Sequence, residues 1–308
     1  MATCLAASWF VVSRAGGAPE VHRPPIVGVA HIGLETNDME AARQFYGHGL
    51  GFASFTLDNP SGGLMLTYFK VNDHQYIEVF PDLKNDTQDR LSHIAFETTD
   101  AAALRDYLAA HGVPVPAVLK PGLDGNLSMM VKDPDGHNVE FVQYMPGSLH
   151  NRNFSKLMPA TRVSEHIIHV GVTVQDQAAA DRFYKDILGF QLKWHGGMTD
   201  QKADWVDMRV PDGTDWLEYM LNVHNPSPKQ LGVMNHLALG VADIQEGYRT
   251  VMSRDMHPPQ GPKVGRDGKW QLNLYDPNYT RTELMEYREA ETPCCSPMLA
   301  LLNPIMER

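Results

Sequence analysis

Histidine and glutamate residues recur at matched spacing in the two halves of this sequence. In the first half the order His, Glu, His, Glu has gaps of 47, 15 and 47 residues, and in the second half the gaps are 49, 18 and 47. Each of these residues lies in an apolar, alternating run that predicts a β-strand. A carboxylate on such a strand is costly near a core unless it meets a cation. The residues are His31, Glu78, His93 and Glu140, followed by His169, Glu218, His236 and Glu283.

The chemistry that these residue types support is metal binding. Two imidazoles and one or two carboxylates suit a divalent ion of intermediate softness, such as Ni, Fe, Mn, Co or Zn. Such a set leaves neighbouring positions open for a substrate that chelates through adjacent oxygens, on which the ion acts as a Lewis acid. A single His or Glu at a strand end is more often capped or exposed than bound to metal. Four at matched spacing, found twice, predict a metal in at least one half.

Two further motifs are repeated. Residues 133–140 and 276–283 both begin with Asp-Pro, which opens a turn, and both end with the last Glu of their half. Phe-Tyr followed by Leu-Gly-Phe occurs within residues 45–52 and again within 183–190. Around these motifs the order of strand, helix and further strands recurs four times, which predicts internal repeats. One such unit leaves a sheet face bare, so we expect the units to pair, either within each half or across the halves.

The length of 308 residues is comfortable for two domains. We expect a leader that is disordered or signal-like, an N-terminal domain of two units, a polar linker, a C-terminal domain of two units and a tail, at residues 1–25, 26–145, 146–165, 166–288 and 289–308. The apolar run in the leader follows no Lys or Arg, which favours a disordered leader and a cytoplasmic protein. If the leader is the remnant of an export signal, the compartment is extracytoplasmic.

Composition narrows the choice of partners. The apolar fraction of 43% and the charged fraction of 20% are typical of a soluble globular protein. The net charge of −11, with no basic cluster, disfavours a nucleic acid or an anionic membrane as partner. Three cysteines without Cys-x-x-Cys spacing predict neither a disulfide framework nor a zinc site. The expected partner is a small-molecule substrate, and a homodimer stays open.

These motifs resemble the vicinal oxygen chelate superfamily, which includes glyoxalase I, extradiol dioxygenases and bleomycin-resistance proteins. The resemblance covers about residues 26–288. It implies an α+β fold of four tandem βαβββ modules, paired into two domains whose curled mixed sheets surround a metal site. It also implies that the four ligand positions of glyoxalase I fall on the His-Glu-His-Glu set of each half.

The complete sets favour a glyoxalase I-like isomerase or lyase, which moves a proton through an enediolate. The resemblance then implies that Glu140 or Glu283 is a base as well as a ligand. The Arg that holds glutathione in that enzyme is expected four residues after the first ligand, where this chain has Glu35 and Thr173. A glutathione thioester is therefore disfavoured as substrate.

The first alternative is an Fe(II) extradiol dioxygenase that cleaves catechol-type rings. Such an enzyme binds Fe(II) through two His and one carboxylate on one face of the metal. His169, His236 and Glu283 supply these ligands. The family resemblance implies a Tyr ten residues before the Glu, where this chain has Asn273. Tyr275 is two residues further on and, by strand alternation, on the same face.

The second alternative is a non-catalytic binding protein of the bleomycin-resistance type. Trp205, Trp216 and Trp270 could line a cleft for an aromatic ligand, although aromatic residues on strands are more often core. Metal-free purified protein would favour this interpretation.

If only one site is active, the sequence favours the C-terminal one. Alternation along residues 269–275 places Gln271, Asn273 and Tyr275 on one face, which by parity is the face of Glu283. For the C-terminal site we predict Glu283, Tyr275 and Asn273 as catalytic residues. For the N-terminal site we predict Glu140.

Overall fold

The computed structural model describes residues 22–298 and builds one curled β-sheet from each half of the chain. The predicted leader, apart from residues 22–25, and the last ten residues of the predicted tail lie outside the described residues. No helix in the described range is long and apolar enough to cross a membrane.

The first sheet has seven strands in the order β2-β3-β4-β1-β5-β7-β6. Their bounds are β1 (Ile26–Glu35), β2 (Ser54–Asp58), β3 (Leu64–Lys70), β4 (Tyr76–Phe80), β5 (Leu91–Thr98), β6 (Leu127–Lys132) and β7 (Asn138–Gln143). The central pair, β1 and β5, runs antiparallel and joins the first unit to the second.

The second sheet has eight strands in the order β13-β14-β15-β12-β8-β11-β10-β9. Their bounds are β8 (Ile167–Thr173), β9 (Gln191–Gly196), β10 (Trp205–Arg209), β11 (Trp216–Met220), β12 (His236–Val241), β13 (Lys263–Val264), β14 (Lys269–Tyr275) and β15 (Arg281–Glu289). The pair β8 and β12 joins the third unit to the fourth. The units therefore pair within each half, and the fold is the mixed-sheet α+β architecture that the sequence predicts.

Short helices connect the strands. They are α1 (Met39–Ala42), α2 (Ala101–Ala110), α3 (Leu149–Arg152), α4 (Gln177–Ala180), α5 (Pro228–Met234) and α6 (Ile244–Ser253). Helices α1 and α4 each run on into a π-helical turn, Arg43–Gly49 and Asp181–Ile187. Asp38 caps α1 by accepting a hydrogen bond from the backbone N–H of Ala41.

The repeated motifs hold the two halves together. The hydroxyl of Tyr46, in the first half, donates to Asp276 Oδ2 at 3.0 Å, and the hydroxyl of Tyr184, in the second half, donates to Asp133 Oδ2 at 3.0 Å. All four side chains are buried. One hydrophobic core runs through both halves behind these contacts. The tyrosine of each Phe-Tyr motif thus binds the Asp-Pro turn of the opposite half.

The segment predicted to be a polar linker is packed rather than free. Its helix α3 buries His150, whose ring centroid lies 4.5 Å from that of Tyr76 and 4.9 Å from that of Tyr68. Asn126 Nδ2 lies 2.7 Å from His150 Nδ1. The linker therefore covers the aromatic face of the first sheet.

Candidate metal centres

The four central strands of the first sheet, β1, β4, β5 and β7, bring the N-terminal donor set together. His31 Nε2 lies 2.9 Å from His93 Nε2, and Glu140 Oε2 lies 3.1 Å and 3.3 Å from these two atoms. Oxygens of Glu78 lie 3.6 Å from each imidazole nitrogen. Ligands about 2.1 Å from one ion are separated from their neighbours by about 3 to 3.5 Å. Ligand atoms of His31, His93 and Glu140 lie close enough together to share one divalent ion, and Glu78 lies beside them.

Glycine makes this approach of the two histidines possible. Gly33 on β1 is the register partner of His93 on β5, and a Cβ at Gly33 would overlap the His93 imidazole. Gly171 stands in the same relation to His236 in the second sheet. The His-x-Gly sequence repeated in β1 and β8 is thus part of each site, and it is a signal from which the close approach of the histidines could have been predicted.

The charges of the N-terminal site are strongly coupled. Burial disfavours the imidazolium of His31, but the Glu78 charge and the hydrogen bond to Glu140 outweigh it and raise the pKa of His31 to about 9. Burial raises the pKa of Glu78 to about 7. Burial acts in the same direction on Glu140, but the hydrogen bond to His31 prevails and lowers the pKa of Glu140 to about 2. The imidazolium of His31 is thus the cation that compensates Glu140, the part that a bound ion would otherwise play.

The C-terminal donor set comes from the equivalent strands β8, β11, β12 and β15. His169 Nε2 lies 3.1 Å from His236 Nε2, and Glu218 Oε2 lies 3.2 Å from His236 Nε2. Glu283 Oε2 lies 3.8 Å from His169 Nε2. Ligand atoms of His169, His236 and Glu283 lie within 4.8 Å of one another. This set is looser than the N-terminal one.

An arginine explains the looser geometry. Arg281 Nη2 donates a hydrogen bond of 2.8 Å to His236 Nε2, the nitrogen that would bind an ion. His236 Nδ1 lies 2.7 Å from the carbonyl oxygen of Met234 and donates to it, which leaves the lone pair on Nε2. Ion binding to this histidine requires Arg281 to move.

Burial also shifts the proton affinities of the C-terminal set. It raises the pKa of Glu283 to about 8, against the opposing charge of Arg281, and raises the pKa of Glu218 to about 7. Burial lowers the pKa of His169 and of His236 well below the usual value, so both imidazoles are neutral. Neutral imidazoles are the form that binds metal.

A cavity of about 330 Å³ opens onto the C-terminal set. Three tryptophans and several polar or charged side chains line it, namely Trp194, Trp205, Trp216, Asp207, Lys263, Arg266, Asp267, Gln271, Asn273 and Arg281. The ring centroid of Trp216 lies 5.0 Å from that of His169, and Lys193 Nζ lies 4.0 Å from the Trp216 ring. The cavity offers aromatic faces, positive charge and metal donors to one small ligand.

Only some of the other predicted residues line this cavity. Asn273 and Gln271 line the cavity, as do Trp205 and Trp216, whereas Trp270 packs against the core. Tyr275 lies beside Tyr279, with ring centroids 6.4 Å apart, and lines a different cavity of about 550 Å³. Tyr275 is therefore not brought to the C-terminal donors.

Two residues of this site are additions to the sequence prediction. Asp207 is the register partner of Glu218, and Arg281 lies two residues before Glu283 on the same strand. Strand alternation alone would have placed both on the donor face.

Comparisons with known proteins bear on the family and the fold of the chain. The chain matches the family model "Glyoxalase/Bleomycin resistance protein/Dioxygenase superfamily" over residues 28–141 and 166–284. The iron-dependent extradiol dioxygenase of Rhodococcus jostii (strain RHA1) is 28% identical over 181 residues, which cover 54% of this chain and 56% of that protein. The match thus spans about half the length of this relative.

Two solved structures are similar in fold. The Mn(II)-bound glyoxalase from Novosphingobium aromaticivorans has a TM-score of 0.66 at 17% identity, over 85% of this chain and 83% of that chain. Homoprotocatechuate 2,3-dioxygenase from Arthrobacter globiformis has a TM-score of 0.64 at 19% identity, over 87% of this chain and 82% of that chain.

Proposed function

Because the chain belongs to the glyoxalase/bleomycin resistance protein/dioxygenase superfamily, we propose that it is a divalent-metal-dependent enzyme acting on a small substrate with neighbouring oxygens. We further propose that the reaction is extradiol cleavage of a catechol-type ring at the C-terminal site, with Fe(II) as the metal. The 28% identical relative supports this reaction better than the glyoxalase-like one.

One observation carries the proposal. His169, Glu218 and Glu283 lie in the wall of the tryptophan-lined cavity, so that a ligand in the cavity faces the metal donors. Its volume of about 330 Å³ is at the small end of the range of about 300 to 1,000 Å³ for ligand sites, which suits one substituted aromatic ring. Trp194, Trp205 and Trp216 contribute apolar surface to the cavity wall, against which such a ring can pack.

Each side chain then has a defined task. When bound, Fe(II) supplies open positions for two neighbouring hydroxyls and the electron chemistry that dioxygen requires. Lys263 in the cavity wall can contact a negatively charged substituent of the substrate. Glu218, whose pKa burial raises to about 7, lies beside His236 and is placed to take a proton from a substrate hydroxyl.

For the N-terminal site we propose a structural ion. His31, His93 and Glu140 converge with Glu78 beside them, and aromatic residues with the buried His150 cover the same sheet face. Structural metal sites are closed by protein ligands, whereas catalytic ones keep an open position. We therefore assign the chemistry to the C-terminal half.

A glyoxalase-like proton transfer is the second candidate, and a specific feature favours it. An extradiol site needs three protein donors, yet the C-terminal half retains Glu218 as a fourth. In this reaction Glu283 would serve as base and ligand, and no dioxygen would be consumed.

Oxygen uptake separates the candidates. We expect protein reconstituted with Fe(II) under anaerobic conditions to consume dioxygen when catechols are added, in an oxygen-electrode assay. Glu283→Gln should reduce the rate at least 100-fold, because it removes a charged donor, while Glu289→Gln at the exposed end of the same strand should leave it unchanged. Fully Fe(II)-loaded protein that consumes no dioxygen with any catechol would refute the dioxygenase assignment, and protein that binds no metal would favour a binding role.

A further inference from the structure

We propose that Arg281 is a built-in counter-cation of the C-terminal site, which occupies the metal position and must withdraw before an ion binds. The two donor sets of the chain then bind the same metal with unequal affinity, the C-terminal set more weakly and more exchangeably. The inference rests on the proposed metal chemistry of the C-terminal site.

The geometry makes arginine and metal mutually exclusive. Arg281 Nη2 is 2.8 Å from His236 Nε2, and the lone pair that accepts this hydrogen bond is the one that an ion would use. The hydrogen bond from His236 Nδ1 to Met234 holds the ring in this tautomer whichever cation is present. Two positive charges cannot share the acceptor, so metal binding must break the Arg281 contact.

Buried carboxylates supply the reason for a cation at this place. The side chains of Glu218 and Glu283 are only 13% and 5% exposed. Unpaired buried charges of this kind are strongly destabilising. The Arg281 guanidinium lies in the wall of the same cavity and brings positive charge near these carboxyl groups, as a bound ion would.

Arg281 is held in a way that lets it leave. Within residues 22–298 its Nε has no hydrogen-bond partner, and the guanidinium makes no ion pair of 4.0 Å or less with either carboxylate. It therefore lacks the two-pronged contact that fixes arginine firmly to a carboxylate. Asp267 lines the same cavity and can receive the displaced guanidinium.

The N-terminal half provides the matched comparison. Asn138 precedes Glu140 by two residues, as Arg281 precedes Glu283. Its Nδ2 donates to the carbonyl oxygen of Ser92 at 2.7 Å. Among the described residues, no Lys or Arg pairs with Glu78 or Glu140, whose ion-pair contacts are His31 and His93. The N-terminal set therefore has no internal competitor for its ion.

Mn(II) titration of the chelator-treated full-length chain tests the inference without reference to catalysis. Free Mn(II) measured by electron paramagnetic resonance should reveal two classes of site in the wild type, at least about tenfold apart in affinity. Arg281→Asn places at this position the residue type of the N-terminal half, where Asn138 is the equivalent residue. It should raise the affinity of the weaker class of site at least about tenfold. Glu283→Gln should abolish the weaker class and so identify it, and Asn138→Arg should weaken the stronger class.

Thermal melting gives a second measurement. Here Arg281→Asn, which should bind metal more tightly, is expected to be less stable than the wild type when metal is absent. Without metal, Arg281→Asn should melt below the wild type because its carboxylates lose their cation, and Mn(II) should raise its melting temperature more than that of the wild type. If Arg281→Asn folds poorly and Mn(II) restores its folding, that result supports the inference. Arg281→Gln repeats the test with a longer neutral side chain. Unchanged affinities in both variants would overturn the role of Arg281 while leaving the metal centre standing. If Glu283→Gln removes no class of site, the proposed C-terminal metal centre itself fails.

Discussion

At the scale of single residues, protons and metal ions compete for the same buried donors. The pKa of His31 is raised to about 9 and those of Glu283 and Glu218 to about 8 and 7, so each of these groups holds a proton more firmly in the folded chain than in the unfolded one. A divalent ion replaces such protons. Metal binding and pH are therefore linked through the stability of the fold.

This linkage predicts a pH dependence for chelator-treated protein. Groups with a raised folded pKa stabilise the fold below their unfolded pKa and lose that contribution as pH rises through the folded value. His31 loses its contribution between pH 6.5 and 9, and Glu283 loses its contribution between pH 4.5 and 8. Urea unfolding should show stability falling between pH 6.5 and 9 by on the order of 3 to 5 kcal/mol.

Two comparisons check the origin of this slope. Saturating Mn(II) should flatten it, because the ion binds the deprotonated donors, and His31→Gln should reduce it. His257→Gln, at an exposed histidine, should leave it as in the wild type. Stability that is constant or rises between pH 6.5 and 9 would be incompatible with protonated buried donors.

The donor residues could be predicted from sequence because they repeat, and the residues around them could not. The His and Glu positions stand out as polar groups on apolar strands, twice at nearly equal gaps. Arg281 looks like a surface cation, and only its contact with His236 reveals another role. Tyr275 has the right parity on β14 but lies beside Tyr279, at a different cavity from the one that Asn273 lines.

At the scale of elements, the repeated sequence motifs have a structural role rather than a chemical one. Each Asp-Pro turn is closed by its own aspartate, since Asp133 Oδ1 accepts from the backbone N–H groups of Asp135 and His137. Its second oxygen accepts the hydroxyl of Tyr184 from the other half. The same aspartate thus shapes the turn that leads into a donor strand and attaches that turn to the opposite half.

Removing these tyrosine hydroxyls should weaken the fold. Tyr184→Phe and Tyr46→Phe each delete a buried hydrogen bond to a carboxyl group, which should lower the free energy of unfolding by about 1 to 3 kcal/mol in urea. Tyr248→Phe is the control, because Tyr248 is only partly buried and its hydroxyl makes no hydrogen bond within the described range. Values within about 0.5 kcal/mol of wild type for both variants would mean that the cross-half contacts contribute little.

At the scale of the whole molecule, the two halves repeat one plan and diverge around it. Both bring His-Glu-His-Glu to the middle of a curled sheet, yet the linker covers the face of the first sheet while a cavity opens onto the second site. The order of strands and helices was predictable from periodicity. The pairing of units was not, because pairing within or across halves satisfies the same pattern, and only the contacts of β1 with β5 and of β8 with β12 decide it.

The most direct test of whether these His and Glu side chains bind metal ions is anomalous X-ray diffraction at the iron edge. The crystals are grown with Fe(II) and without chelators. We expect one peak among His31, Glu78, His93 and Glu140, and a second among His169, Glu218, His236 and Glu283, with Arg281 withdrawn from His236. Crystals that show no peak in either place, with Arg281 still against His236, would contradict a metal-dependent function.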